Sequence, residues 1–154
     1  MATMTINLTE SLTLNGVEQG GNTTQSITGI NNISKRTVTI TTTEATIATF
    51  GIATGQGTYI AANVRYIRFT NLEASGGNFI TLTLRNQDND EIAIKLDAGQ
   101  TLFWNGDNSN GMTAVFNATE HADAASSTNF GSLTNIQADA DTASCSLEML
   151  IAGT

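Results

Sequence analysis

Apolar and small polar side chains alternate along most of the chain, in short segments separated by Gly, Asn and Asp. The plainest segment is 37–43, Thr-Val-Thr-Ile-Thr-Thr-Thr. Alternation with a period of two indicates β-strands that bury one face and expose the other to water. β-Branched Thr suits the exposed face of such a strand. No stretch has a sustained helical period, so the pattern predicts an all-β protein.

The clearest predicted strands lie in the middle of the chain, at 63–72, 79–85 and 91–96. Gly76-Gly77 and an Asx-rich turn at 86–90 separate them, which predicts a three-strand meander. The C-terminal segment 144–151 alternates Cys, Leu, Met and Ile with polar residues and predicts a strand inside a sheet.

Eight to ten short antiparallel strands, hairpin turns and the lack of a long helix predict an antiparallel β-sandwich of jelly-roll-like type. A chain of 154 residues suits one domain, 1–154, with a core that needs neither disulfide nor metal. The single Cys145 lies in the apolar C-terminal segment, where we expect a buried, inert thiol.

Two regions depart from the simple strand pattern. Residues 1–34 predict an N-terminal arm and loop, in which 4–8 forms a strand that pairs within the chain or with another subunit. Ile6 and Leu8 are the apolar interface candidates of this arm. Residues 118–143 are rich in Ala, Asp, Ser, Thr and Asn. So long a connection is rare without a role, which predicts an interface loop anchored by its few apolar residues, Phe130, Leu133 and Ile136.

Charge argues against one class of partner. The net charge is −8, and all six Lys and Arg residues lie between residues 35 and 95. Nucleic-acid affinity depends on cations that displace counterions from phosphates, so we expect no direct contact with nucleic acid. Only 13% of the residues are charged, about half of the roughly 25% usual in soluble domains. The surface is therefore expected to be a neutral coat of Thr, Asn, Ser and Gly.

Two further absences bear on location and assembly. The N-terminus has no basic region followed by an apolar stretch, and no run of about 18 apolar residues occurs, so we expect neither a signal peptide nor a membrane span. The chain also has no Pro and few Lys, the residues that commonly protect edge strands. This favours an obligate oligomer, with protection by bulges and short edges as the alternative.

No catalytic constellation is predicted. His121 is the only histidine, and no Gly-x-Ser-x-Gly motif accompanies it, so we expect a solvated loop histidine. The acidic turn at 88–91 includes Asp88 and Asp90 but lacks the Gly and distal Glu of an EF-hand loop. A simple turn is favoured there, with structural calcium as the alternative. Gly51–Gly57 has no Lys-Ser/Thr and predicts a bend. No cofactor is expected.

Trp104 is the one aromatic candidate for a ligand site. Because Phe103 precedes it in an alternating segment, one of the two rings must face inward. An outward Trp104 would stack on a sugar ring or anchor an interface. Core packing is the favoured interpretation.

Several segments resemble small β-rich structural proteins of tailed bacteriophages, particularly marine and cyanobacterial ones. They are Asn63–Leu72, Phe79–Leu84, Ile94–Thr101 and Ser132–Ala140, followed by the C-terminal strand. The resemblance implies a virion component that carries no catalytic residues and is synthesised in the host cytoplasm.

Together these observations predict a non-enzymatic virion protein, first of all a capsid decoration (cement) protein. We expect a homo-oligomer, with a trimer as the simplest form, that bridges subunits of the major capsid protein. One alternative is a tail-tube, neck or fibre-base subunit of the same virion. Another is a glycan-binding module for host recognition that uses Trp104.

Overall fold

A computed structural model describes residues 1–86, 89–106 and 133–154. These residues form thirteen strands and one short 3-10 helix at Ala61–Asn63. The strands are β1 (Ala2–Thr9), β2 (Thr13–Leu14), β3 (Val17–Glu18), β4 (Asn22–Ile30), β5 (Asn32–Ile40), β6 (Ala45–Gly51), β7 (Thr58–Ile60), β8 (Val64–Asn71), β9 (Ile80–Asn86), β10 (Glu91–Leu96), β11 (Thr101–Asn105), β12 (Leu133–Ala140) and β13 (Cys145–Gly153).

Most strands belong to two sheets that pack face to face. The first sheet has the order β10-β9-β12-β6-β7 and the second the order β11-β8-β13-β5. All neighbours are antiparallel except β6 and β7, which pair in parallel. The predicted all-β class, with antiparallel sheets in a sandwich-like arrangement, is confirmed. No long helix occurs in the part of the chain that the structure describes, and none of its helices could span a membrane.

The core lies between the two sheets and follows the period-two pattern. Alternate residues of each strand are buried, as in Ile67 and Phe69 of β8 and Leu147 and Met149 of β13. β9 contributes three inward side chains at alternate positions, Ile80, Leu82 and Leu84. Residues between these positions are mostly Thr, Asn, Gln and charged side chains, so burial on one face of each strand accounts for the sandwich.

The predicted meander is wrong in its first connection. β9 and β10 do pair as a hairpin, but β8 lies in the other sheet, between β11 and β13. The segment between β8 and β9 therefore crosses from one sheet to the other. The fully buried Asn71 holds this crossing, because its amide donates to the carbonyl oxygens of Asn78 and Leu96, at 2.9 and 3.1 Å, and accepts from the backbone N–H of Glu73.

The last strand lies where the sequence predicts it. β13 pairs with β5 on one side and with β8 on the other, so it is internal to the second sheet. Cys145 at its start is 3% exposed. The predicted burial of this thiol is confirmed, and burial, with a smaller contribution from Glu73, raises its pKa.

The predicted loop at 118–143 is wrong over its C-terminal part. Leu133–Ala140 forms β12, the central strand of the first sheet, where Ile136 and Ala138 are buried. The register shifts between Leu133 and Asn135, so the alternation of buried and exposed residues is broken at the start of this strand. Residues 118–132, with His121 and Phe130, lie outside the described residues.

Several edge strands are protected, contrary to the expectation of unprotected edges. β5 carries Lys35, and the Nη2 of its Arg36 donates to the carbonyl of Ile47. β10 carries Glu91 and Lys95, and β7 is only three residues long. Charged side chains on an edge, inward-pointing charges and short edge strands all discourage pairing between sheets of different molecules.

Candidate interaction surface

The first thirty residues form one long hairpin rather than an arm followed by a loop. β1 pairs with β4 from Met4↔Ile27 to Thr9↔Asn22, and β2 pairs with β3 in the same register, with Leu14 opposite Val17. Between the two ladders the N–H of Glu10 donates to the carbonyl of Gly21 at 2.8 Å. We call residues 2–30 the N-terminal hairpin.

The tip of the N-terminal hairpin is a two-residue turn. Asn15 and Gly16 both have positive φ, 52° and 78°, as a type I′ turn requires. This turn matches the twist of the strands it joins, and Asn-Gly is its preferred sequence. The dipeptide therefore fixes the register of the whole hairpin.

Alternation along this register makes the hairpin amphipathic. One set of alternate positions carries the aliphatic side chains, and the other carries mostly Thr, Ser and Asn. The aliphatic set is Met4, Ile6, Leu8, Leu12, Leu14, Val17 and Ile27.

The proximal part of the hairpin packs on the outer face of the second sheet. Met4 and Ile6 contact a small buried cluster that includes Ile27 of the hairpin and Tyr66 and Leu150 of the sheet. Burial raises the pKa of the Tyr66 hydroxyl, and Arg68 opposes that shift. Ile6, an interface candidate from the sequence, is thus used within the chain.

The hairpin crosses the second sheet from one edge to the other. It begins beside β5, because Asn31 alone separates Ile30 from that strand. It meets the opposite edge at the end of β11, where the Gln25 side chain donates to the carbonyl of Gly106 at 2.9 Å and accepts from the Asn105 amide. The residues beyond Gln25 and its partner Ile6 therefore extend past the edge strand β11.

The distal part of the hairpin exposes its aliphatic side chains. Leu12 and Leu14 are 58% exposed, Val17 is 57% exposed and Leu8 is 42% exposed. At about 3.3 Å per residue, the nine residues from Ile6 to the turn reach about 30 Å. We define Leu12, Leu14 and Val17 as the apolar tip.

Local hydrogen bonds order the strands behind the apolar tip. The Glu18 carboxylate accepts from the N–H groups of Leu12 and Gly20, at 2.9 and 2.8 Å, and from the Thr13 hydroxyl. These bonds, that of Leu12 first, lower the pKa of Glu18. Gly20 is required there, since a Cβ at this position would lie 2.0 Å from the carbonyl oxygen of Glu10.

The hairpin leaves part of the second sheet's outer face open. Glu148 on β13 accepts from Lys35 of β5 at 3.1 Å and from Arg68 of β8. Its pKa is lowered chiefly by the hydrogen bond from Lys35. Phe103 of β11 lies directly opposite Arg68 in the ladder and is 39% exposed. We call Lys35, Arg68, Phe103 and Glu148 the open patch.

The structure assigns Trp104 to the other side of its strand. Its ring is half-buried and packs against the core with Leu102, while Phe103 faces outward. Core packing, the favoured interpretation, is confirmed, and Trp104 is not an exposed platform for a sugar ring.

The acidic turn shows no calcium geometry in its described residues. The Asp90 carboxylate accepts from the Asn86 amide at 3.0 Å, and the Asp90 N–H donates back to Asn86 at 2.8 Å, as in an Asx-type turn. Asp88 lies outside the described residues. Within 1–86, 89–106 and 133–154 no group of three or more His, Cys, Asp and Glu could hold a metal ion.

Comparison with known proteins adds no relative to this picture. The chain matches no protein-family model. It matches no curated protein and no solved structure either. The resemblance to phage structural proteins therefore stays a prediction from the sequence.

Proposed function

We propose that this protein is a non-enzymatic structural component of a virion, specifically a capsid decoration protein that binds the major capsid protein and other copies of itself. The projecting N-terminal hairpin with its exposed apolar tip is the observation that carries the proposal. Such an element offers adhesion to a neighbouring protein and no chemistry of its own.

The rest of the described surface fits a role in attachment. The outer face of the first sheet is polar, with the part-exposed Thr81 on β9 and Asn135 and Gln137 on β12. Neutral hydroxyl and amide groups suit contact with a protein lattice. Weak contacts of this kind become collectively strong when many copies bind one shell, because each bound copy raises the effective concentration of the next.

The proposed function is tested with particles assembled with and without the protein. We expect shells that carry it to resist heat and osmotic shock better than bare shells, and purified protein added back to bare shells should restore that resistance. Equal survival of the two kinds of particle would count against decoration.

Two variants sharpen the particle experiment. Leu12→Ser/Leu14→Ser/Val17→Ser removes the apolar tip and should fail to restore resistance. Ile52→Ser is the matched control, because Ile52 is 98% exposed and lies in a bend far along the chain from the hairpin. Long tubes of stacked rings formed by the purified protein alone, rather than single closed oligomers, would favour the tail-tube alternative instead.

A further inference from the structure

We infer that the apolar tip of one molecule docks on the open patch of a second copy of this chain. The inference deepens the proposed function, because it names the surface through which copies associate. It concerns self-association in solution and is tested apart from any particle.

The first argument is that the distal hairpin is an incomplete structure by itself. A two-stranded hairpin without a packed face is only marginally stable in water. Here three aliphatic side chains on one side are each more than half exposed, while Glu18 and the type I′ turn fix the backbone that presents them. A preformed apolar surface of this kind is typical of a binding element, because little ordering remains to be done on association.

The second argument is reach. The apolar tip lies about 20–26 Å beyond the point where the hairpin leaves the second sheet, at about 3.3 Å per residue. A compact body of this size is only about 35 Å across, judged from its expected radius of gyration. The tip is therefore placed to contact a neighbouring molecule.

The third argument identifies the neighbour. The proximal part of the same hairpin already packs on the outer face of the second sheet, through Met4, Ile6 and Ile27. That face thus suits the aliphatic side chains of the hairpin. In a second copy the open patch continues the same face and presents the exposed ring of Phe103.

Charge is complementary between the two surfaces. Glu10 is the charged residue on the face of the hairpin that carries the apolar tip, whereas the open patch has two bases, Lys35 and Arg68, against the single acid Glu148. This patch is positive in a chain whose net charge is −8. Because each copy has one hairpin and one patch, the contact is heterologous, and it gives a closed ring only where the rotation between successive copies closes.

The first experiment measures self-association by sedimentation equilibrium of the whole chain. We expect the wild-type protein and Ile52→Ser to associate alike. Leu12→Ser/Leu14→Ser/Val17→Ser should associate at least about a hundredfold more weakly, since it loses three half-exposed aliphatic groups. Unchanged far-UV circular dichroism establishes that the variant is folded. A wild-type protein that stays monomeric at about 100 μM, or a folded triple variant that associates like wild type, overturns the inference.

The second experiment tests the patch by charge reversal. Glu10→Lys and Lys35→Glu should each weaken association, and the double variant should recover it, because the pair then attracts again with its signs exchanged. Phe103→Ser should weaken association as the hairpin variant does. If the hairpin variant alone is monomeric while Lys35→Glu and Phe103→Ser associate normally, the tip binds another surface and the assignment of the patch is wrong.

The two proposals fail in different ways. A protein that is monomeric in solution but still protects shells contradicts self-docking and leaves decoration intact. A protein that forms rings through the tip yet never binds shells contradicts decoration and leaves self-docking intact.

Discussion

Replacement of Asn71 by Ala removes the polar group that holds the crossing between the two sheets. The side chain is fully buried and makes three hydrogen bonds, two as donor to Asn78 and Leu96 and one as acceptor from Glu73. Each such bond contributes roughly 0.5–1.5 kcal/mol net. Asn71→Ala should therefore lower the free energy of unfolding by about 3 kcal/mol.

Urea unfolding followed by tryptophan fluorescence measures this loss. With a urea m-value of about 1.5 kcal/mol per M, the midpoint should fall by about 2 M. Asn78→Ala is the control, because its side chain bonds Thr142 and Ala143 at an exposed site and should cost less than about 1 kcal/mol. Equal midpoint shifts for the two variants would refute the role given to Asn71.

Three further predictions concern the hairpin and the thiol. Gly20→Ala forces a Cβ against the carbonyl of Glu10 and should speed proteolysis within the hairpin. Gly21→Ala, with nothing within 4 Å of its Cβ, should be cleaved like wild type. Equal cleavage of the two variants would contradict this geometry. The pKa of the Glu18 carboxyl is lower in the folded than in the unfolded protein. The ionised carboxylate therefore contributes its full stabilisation above the unfolded pKa of about 4.3. That stabilisation is lost as the pH falls through the lowered folded pKa. The melting temperature of Glu18→Gln should therefore fall less than that of wild type over that pH range, and parallel profiles would remove the role of the carboxylate. Cys145, buried with a raised pKa, should react with a thiol reagent at pH 8 only after denaturation, and rapid labelling of the native protein would show that it is accessible.

Local sequence patterns predicted the hairpins and turns that form between segments close together in the chain. The β9–β10 hairpin follows from two alternating segments around an Asx-rich turn, and its register aligns Ile92 with Leu84. The strand at 4–8 was likewise predicted from the sequence. The Thr, Gln and Gly content of residues 22–30 concealed the return strand β4, in which Thr23 and Gln25 occupy positions on the aliphatic face of the hairpin.

Partners distant in sequence were beyond the same reasoning. β8 is flanked by β11 and β13, and an alternating strand carries no mark of which sheet it will join. The sequence also did not show which of Phe103 and Trp104 faces the core, since both rings are large and apolar. It is decided by pairing with β8, which places Trp104 opposite Ile67 on the core side.

The position of β13 has a consequence for the order of events during synthesis. It is the last of the described strands to leave the ribosome, yet it lies inside the second sheet. Its Leu150 and Ala152 also belong to the buried cluster on which the hairpin packs. A nascent chain that lacks β13 has neither a completed second sheet nor a surface on which a hairpin can rest. Emergence of this strand therefore limits when the protein can complete its second sheet and when the hairpin can settle on it.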